Sequence, residues 1–199
     1  MKKLLFLLLF LSLNNFSQGL FNSYQEGKII LRNNTEITGL VKISGNKIKF
    51  KKTKDDKKVI YSSKKAKSLK FKEGSEYHYK IKGPNVLLLE GFLTEEKLNL
   101  FTRETTSAPM MSSNGLMMGG GITYTTFYVS KKGSDLVEEL PKNEKGKRFR
   151  KIISKYVSDC KGFSEYIKDK KSIKKHFKNK DNIITINLIN YYNKNCTKK

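Results

Sequence analysis

An alternation of lysine with apolar residues constrains the fold of this chain more than any other local pattern. In the stretch KIKFKK at 47–52, lysines alternate with Ile48 and Phe50. A period of two residues is typical of a β-strand with one buried face and one solvated face. Similar short runs, separated by turn residues, recur about every 8–12 residues. The pattern predicts an antiparallel β meander, barrel-like or sandwich-like, over residues 18–140.

The period changes at the polar segment PKNEKG, which begins at Pro141. Apolar residues then follow the spacing of an amphipathic helix, at Phe149, Ile152, Ile153, Tyr156 and Val157. A second short helix is predicted around Phe163, and a final helix over 182–193 with Asp181 as its N-cap. Residues 141–199 are therefore predicted to be a basic helical segment, which makes the fold class α+β.

The segment 105–121 interrupts the strands. It is uncharged and rich in Gly, Ser and Met, which predicts a flexible loop. Its methionines are Met110, Met111, Met117 and Met118. Thioether sulfur is a soft ligand for Cu(I), and methionine is also an adaptable contact residue, so copper, a partner contact and a passive loop are all open. No His or Cys accompanies them, and no cofactor is assigned.

The N-terminus has the layout of a secretory signal peptide. Lys2 and Lys3 precede an apolar run over 4–11, and a polar stretch with Ser17 follows. The run is too short for a transmembrane helix, although an uncleaved anchor is the alternative. Residues 1–17 are therefore predicted to direct export to the periplasm or the exterior.

Two cysteines, Cys160 and Cys196, are the only ones in the chain. An even number in an oxidising compartment favours a disulfide, and two buried thiols are the alternative. The spacing is not that of a CxxC redox motif.

Charge is the most extreme property of the composition. The chain has 41 Lys and Arg against 18 Asp and Glu, a formal net charge of +23. Lysine dominates over arginine, which disfavours nucleic acid because its readers prefer the arginine fork. The densest cluster runs from 168 to 180 and consists of Lys168, Lys170, Lys171, Lys174, Lys175, Lys178 and Lys180. Contact with an envelope protein, an anionic lipid or an acidic polysaccharide is one interpretation of this cluster, and a solvated helix surface is the other.

Residues for catalysis do not form a recognisable constellation. His78 lies in an alternating strand pattern, and His176 lies among lysines without an evident carboxylate partner. Acidic residues occur as neighbouring doublets, whose members point to opposite faces of a strand. We therefore predict an exported, non-enzymatic, envelope-associated binding or structural protein. A small periplasmic hydrolase or ligand-binding protein is the alternative.

Several stretches resemble a group of uncharacterised bacterial secreted proteins. The resemblance is carried by GKIILRNNTEITGLVKI from Gly27, by FYVSKKGSDLVEEL from Phe127, by Asp159-Cys160 after a basic helix, and by Tyr192-Asn193 followed by Cys196. The chain departs from the group at Lys161-Gly162, where the group more often has Pro. The resemblance implies export, an N-terminal β domain with C-terminal helices, and a pairing of Cys160 with Cys196. It implies no activity.

Overall fold

The computed structural model describes residues 23–94, 96–107, 110–111, 117–118, 121–169, 171, 173 and 184–196. The chain divides into two compact units, Met1–Glu76 and Tyr77–Lys199. The predicted signal peptide lies outside the described residues, as does the predicted N-cap Asp181. The C-terminal helices belong to the second unit together with several strands, so the units do not follow the division at residue 141.

The described residues of unit 1 form five antiparallel strands. They are β1 (Gln25–Leu31), β2 (Glu36–Ser44), β3 (Lys47–Lys51), β4 (Val59–Tyr61) and β5 (Ala66–Phe71). Their order is β5-β1-β2-β3-β4. Tight turns determine the register between β1 and β2 and between β2 and β3. Asn34 and Gly45 adopt positive φ there, of 62° and 60°, a conformation that Asn and Gly tolerate best.

One face of unit 1 is apolar and buried, as the alternation predicts. Its residues are Ile29, Val41, Ile48, Phe50 and Leu69. Gly27 and Gly39 are directly opposite each other on β1 and β2. A Cβ on Gly39 would lie 2.6 Å from the Lys51 carbonyl oxygen and 2.7 Å from the Phe50 ring, so glycine allows this close packing. Gly27 and Gly39 both belong to the stretch GKIILRNNTEITGLVKI that carries the resemblance, and both therefore have a steric role.

Unit 2 begins with the long antiparallel strands. They are β6 (Glu76–Lys82), β7 (Asn85–Leu93), β8 (Leu98–Thr106) and β11 (Thr123–Lys131), followed by the short β12 (Glu138–Glu139). Their order is β6-β7-β8-β11-β12. Between β8 and β11, β9 (Met110–Met111) pairs with β10 (Met117–Met118).

The described part of unit 2 also contains three helices, namely α1 (Lys147–Tyr156), α2 (Lys161–Lys168) and α3 (Ile184–Asn195). Their apolar residues, including Phe149, Ile153 and Leu188, cluster with Leu98 and Leu100 of β8. Burial of these faces supplies the main stabilisation of short helices, which are marginal in isolation.

The other face of β8 forms a separate cluster. Phe101, adjacent to Leu100 and so on the opposite face, packs with Leu87, Leu89, Tyr128 and Val137. The segment after β11 reaches this cluster because it bonds back to β6. The Ile81 N–H donates to the Asp135 carbonyl (2.8 Å), and the Val137 N–H donates to the Ile81 carbonyl (2.9 Å).

The predicted combination of antiparallel strands and C-terminal helices is therefore present. A barrel or sandwich is not confirmed, because the described strands form an open antiparallel arrangement. Among the described residues, no helix is both long and apolar enough to cross a membrane.

Candidate functional site

The polar face of unit 1 is lined by lysines. Residues directly opposite one another in antiparallel strands share a face, and alternate residues along a strand share it as well. The register therefore places six lysines on the face opposite the apolar one. We call this the lysine face; it consists of Lys28, Lys42, Lys47, Lys49, Lys51 and Lys70.

Two pairs of these lysines are in direct register. Lys42 is opposite Lys49 on β2 and β3, and Lys28 is opposite Lys70 on β1 and β5. Directly opposed side chains have Cβ atoms about 4.5–5.5 Å apart, and like charges at that separation destabilise a sheet. The two pairs concentrate positive charge on one side of the unit 1 strands.

Two glutamates partly compensate this charge. Glu36 pairs with Lys28 at 2.9 Å, and Glu26 pairs with Lys72 at 2.6 Å. The hydrogen bond from Lys72 lowers the pKa of the Glu26 carboxyl and, reciprocally, raises the pKa of Lys72. These ion pairs involve Glu26 of β1 and Glu36, the first residue of β2.

Apolar side chains interrupt the lysines on the same face. Ile60 is directly opposite Lys49 and is 47% exposed, although it is a large aliphatic residue. Leu40 is opposite Lys51, whose ammonium lies 5.7 Å from the centre of the Tyr24 ring. The lysine face is thus both basic and partly apolar.

Helix α1 is a second basic surface, in unit 2. Its sequence KRFRKIISKY contains five cations and no acid, and Lys147 and Lys151 are exposed one turn apart. Lys147 and Arg148 occupy the first turn, where the helix dipole disfavours cations, and like charges one turn apart repel. Lys155 is paired with Glu138 at 3.2 Å.

The predicted lysine cluster of 168–180 is described only in part. Lys168 ends α2 and is exposed, and Lys171 is exposed as well. The other five, Lys170, Lys174, Lys175, Lys178 and Lys180, lie outside the described residues, as does His176. Their role stays a prediction.

Cys160 and Cys196 form a disulfide, with their Cα atoms 5.7 Å apart. The predicted pairing is confirmed, and it joins the start of α2 to the end of α3. The neighbouring residues of both motifs meet at the same place. The Tyr192 hydroxyl donates to the Asp159 carboxylate at 2.8 Å, and Lys131 of β11 donates to the Tyr192 hydroxyl at 3.2 Å.

The network of Asp159, Tyr192 and Lys131 consists of polar groups, but its role is structural. Burial by itself raises the pKa of the Asp159 carboxyl, but the hydrogen bond from Tyr192 and the charge of Lys131 outweigh it and lower that pKa overall. Burial, followed by the hydrogen bond to Asp159, raises the pKa of the Tyr192 phenol. The phenol therefore stays protonated at neutral pH and acts as a donor.

Asn193 attaches α3 to the first residue of β8. Its side-chain amide accepts from the Leu98 N–H at 3.0 Å and donates to the Leu98 carbonyl at 2.9 Å. Lys97 donates to the Cys196 carbonyl, a favourable position for a cation at a helix C-terminus. Each residue that carries the resemblance in this region thus has a packing or bonding role.

The polar segment that begins at Pro141 also contacts a helix. The Glu144 carboxylate accepts from the Ile184 N–H at 3.0 Å, the Thr185 N–H at 3.1 Å and the Thr185 hydroxyl at 2.6 Å. It therefore satisfies the N-terminal donors of α3 from a distant part of the sequence.

A cleft of about 490 Å³ opens beside the disulfide, between α2 and α3. We call it the aromatic cleft. Phe163 and Tyr166 of α2 and Tyr191 of α3 provide its rings, and Asn195 and the Cys160–Cys196 disulfide complete most of its lining. The Phe163 and Tyr191 rings are stacked with centroids 4.9 Å apart and planes 29° apart. Tyr191 is 47% exposed, so part of this platform is open.

The four predicted contact methionines are brought together along the backbone. Met111 is paired with Met117, and Met110 with Met118. This antiparallel pairing differs from the predicted flexible loop at these four residues. Strand β8 also continues to Thr106, two residues into the segment 105–121 that was predicted as a loop, since β11 pairs with it along its whole length.

His78 packs edge-on against the Phe101 ring, with ring centroids 5.6 Å apart. Neither this histidine nor an acidic doublet lines the aromatic cleft. Glu138 and Glu139 of one doublet instead pair with Lys155 and Lys82. Among the described residues, no group of three or more His, Cys, Asp or Glu is arranged to hold a metal ion.

Sequence reasoning missed the aromatic cleft and the direct opposition of lysines. The period-two pattern did predict a lysine-lined solvated face, and a register drawn across the Gly45 turn would have paired Lys42 with Lys49. Phe163 and Tyr191 are far apart in sequence, so no local sequence pattern indicates that their rings meet.

A comparison with protein-family models, with curated proteins and with solved structures found no match.

Proposed function

We propose that the protein is an exported, envelope-associated binding protein whose lysine face docks on an anionic lipid surface. The observation that carries the proposal is the lysine face itself, on which six lysines share one side of the unit 1 strands with the half-exposed Ile60. A dense group of cations attracts an anionic surface.

The apolar residues decide between two kinds of anionic partner. Ile60 is half-exposed beside Lys49, and Leu40 lies between the lysines of the same face. Aliphatic groups next to lysines suit the boundary between lipid headgroups and acyl chains. An acidic polysaccharide offers no apolar phase for them, so we favour an anionic membrane.

The disulfide supports the export part of this proposal. The disulfide is compatible with an oxidising compartment, as the predicted signal peptide requires. The basic surface of α1 and the predicted lysine cluster of 168–180 are further contacts under this proposal. Each lysine near an anionic surface contributes about 1 kcal/mol to binding.

Sedimentation with vesicles tests the proposal. The purified protein should sediment with vesicles containing phosphatidylglycerol and not with pure phosphatidylcholine, and added salt should weaken this binding. The double variant Lys42→Glu/Lys49→Glu should bind at least about 30-fold more weakly, because two contacts of about 1 kcal/mol each are lost and repulsion is added.

The matched control is Lys64→Glu/Lys65→Glu, which makes the same charge change in an exposed turn of unit 1. An equal loss in both variants would mean that only net charge matters and would contradict a role for the lysine face. If the protein binds dextran sulfate but not anionic vesicles, its partner is an acidic polysaccharide and not a lipid. Ile60→Ser should weaken vesicle binding without affecting binding to dextran sulfate.

A further inference from the structure

We propose that the strand pair β9–β10 is a binding site for the soft metal ion Cu(I), with the thioether sulfurs of directly opposed methionines as its ligands. The site is in unit 2 and shares no residue with the lysine face. It is therefore independent of the proposed docking on lipid.

Apart from Met1, methionine occurs only in this strand pair. The chain has five methionines, and the other four are Met110, Met111, Met117 and Met118. The buried apolar positions that the structure describes use other residue types, chiefly Leu and Ile. An apolar contact could be built from those residues as well, so the restriction of methionine to the four paired positions points to a use of its sulfur.

The register of the two strands arranges the methionines in two opposed pairs. Met110 is opposite Met118, and Met111 is opposite Met117. Neighbouring residues of a strand belong to opposite faces, whereas directly opposed residues share a face, so each face of the ladder has one pair. The Cβ atoms of such a pair are about 4.5–5.5 Å apart. Methionine is long and has three rotatable bonds, so two sulfurs at this spacing can bind one ion.

The strand pair follows the hydrogen-bonded end of the β8–β11 hairpin. The Ser107 N–H donates to the Ile122 carbonyl at 3.0 Å, and the Ile122 N–H donates to the Ser107 hydroxyl at 3.0 Å. The hydroxyls of Thr106 and Thr123 are hydrogen-bonded at 2.8 Å. These contacts hold together the chain segments that lead into β9 and out of β10. Part of the entropy of bringing the ligands together is therefore lost on folding and not on binding.

The type of ligand selects the metal. Thioether sulfur is soft and neutral and favours Cu(I), whereas Mg²⁺ and Ca²⁺ prefer oxygen ligands and Zn²⁺ prefers imidazole and thiolate. Residues 105–130 include no Asp, Glu, His or Cys in their sequence. Cu(I) also accepts a low coordination number, which a pair of thioethers satisfies. We therefore expect the site to take Cu(I), or Ag(I) as an analogue that is stable to oxidation, in preference to Zn(II).

Titration of the purified protein with Cu(I) kept reduced by ascorbate, and separately with Ag(I), tests the assignment. One readout is the NMR spectrum of methyl-labelled methionine, which has at most five signals. The other is competition with a Cu(I) chelator, which gives the affinity. We expect the methionine methyl signals to shift with either ion and not with Zn(II).

Two kinds of double variant remove the same number of sulfurs but leave different arrangements. The opposed-pair variants are M110L/M118L and M111L/M117L, and the adjacent-pair variants are M110L/M111L and M117L/M118L. Each opposed-pair variant leaves one pair intact, so at least one of the two should keep the wild-type affinity. The adjacent-pair variants leave no opposed pair and should bind at least about 100-fold more weakly, because the second ligand no longer adds its effective concentration. Leucine has a similar volume, so apolar packing is preserved.

Four results would overturn the proposal. These are no shift of the methionine signals with Cu(I) or Ag(I), equal shifts with Zn(II), undiminished binding by the adjacent-pair variants, or loss of binding in both opposed-pair variants. All four variants should leave vesicle sedimentation unchanged, so a failure of this proposal is distinguishable from a failure of the lysine face.

Discussion

Asp159 and Tyr192 show how single residues connect the helices of unit 2 to its sheet. The Tyr192 ring is 1% exposed, yet its hydroxyl reaches the half-exposed Asp159 carboxylate and Lys131. A buried phenol needs a partner for its hydroxyl, and a carboxylate is a strong acceptor. The pair is thus a structural contact whose strength depends on the ionisation of Asp159.

Asp159→Asn should therefore change how stability depends on pH. Because the pKa of Asp159 is lowered in the fold, the carboxylate stabilises the protein above its unfolded pKa near 3.8, and this contribution is lost as pH falls through the folded-state pKa. We expect a loss of about 1 kcal/mol in the free energy of unfolding at pH 7, and a smaller difference from wild type near pH 3.

Urea unfolding at pH 7, 5 and 3 measures this difference. Asp55→Asn, in an exposed turn of unit 1, removes a carboxylate without touching the pair. A difference between wild type and Asp159→Asn that stays constant with pH would contradict the role of the charged carboxylate.

Helix α3 depends on groups from elsewhere in the chain at both of its ends. Glu144 bonds its first N–H groups, and Lys97 bonds the carbonyl of Cys196 at its end. Helix α1, by contrast, has Gly146 at its N-cap position, with no side-chain cap, and has no acid in its first turn. The two helices thus differ in whether side chains bond the backbone groups at their ends. The sequence pattern alone does not indicate this difference.

Glu144→Ala should destabilise unit 2 by about 1–2 kcal/mol, the usual cost of losing an N-cap acceptor. Fraying should begin at Ile184, because this variant removes the acceptor for two backbone N–H groups. Hydrogen exchange of the α3 amides, together with urea unfolding, measures it. Glu165→Ala, at an exposed position of α2, is the control, and equal effects in both would rule out capping.

At the scale of the molecule, local sequence patterns predicted the strands and helices better than they predicted which of these elements pack together. The alternation at 47–52 predicted β3 to within one residue, because one buried face imposes a period of two. The end of β8 was predicted too early, since its last residues are polar and belong to the strand only through pairing with β11. The aromatic cleft likewise depends on a tertiary meeting of α2 and α3 that no local spacing encodes.

The disulfide acts at the same scale. It closes a loop of 37 residues, counted from its separation of 36, and on the chain-entropy model this contributes about 3–4 kcal/mol. The double variant Cys160→Ser/Cys196→Ser should lower the free energy of unfolding by about that amount. Guanidinium unfolding measures it, and intact mass after alkylation should show no reactive thiol in the wild type. Two alkylated thiols in natively isolated protein would contradict the bridge in the cell.

The attachment of Asn193 to Leu98 has a consequence for the order of folding. The first residue of β8 completes its hydrogen bonds only with a side chain that is translated almost a hundred residues later. The strand pairing of β1 with β5 in unit 1 joins residues at most 44 apart, whereas the Asn193–Leu98 contact of unit 2 joins residues 95 apart, so unit 1 can form earlier and unit 2 has to wait for α3. Until α3 forms, β8 and its apolar residues would be exposed to other unfolded chains. The last helix to appear therefore ends the period in which unit 2 is most prone to aggregation.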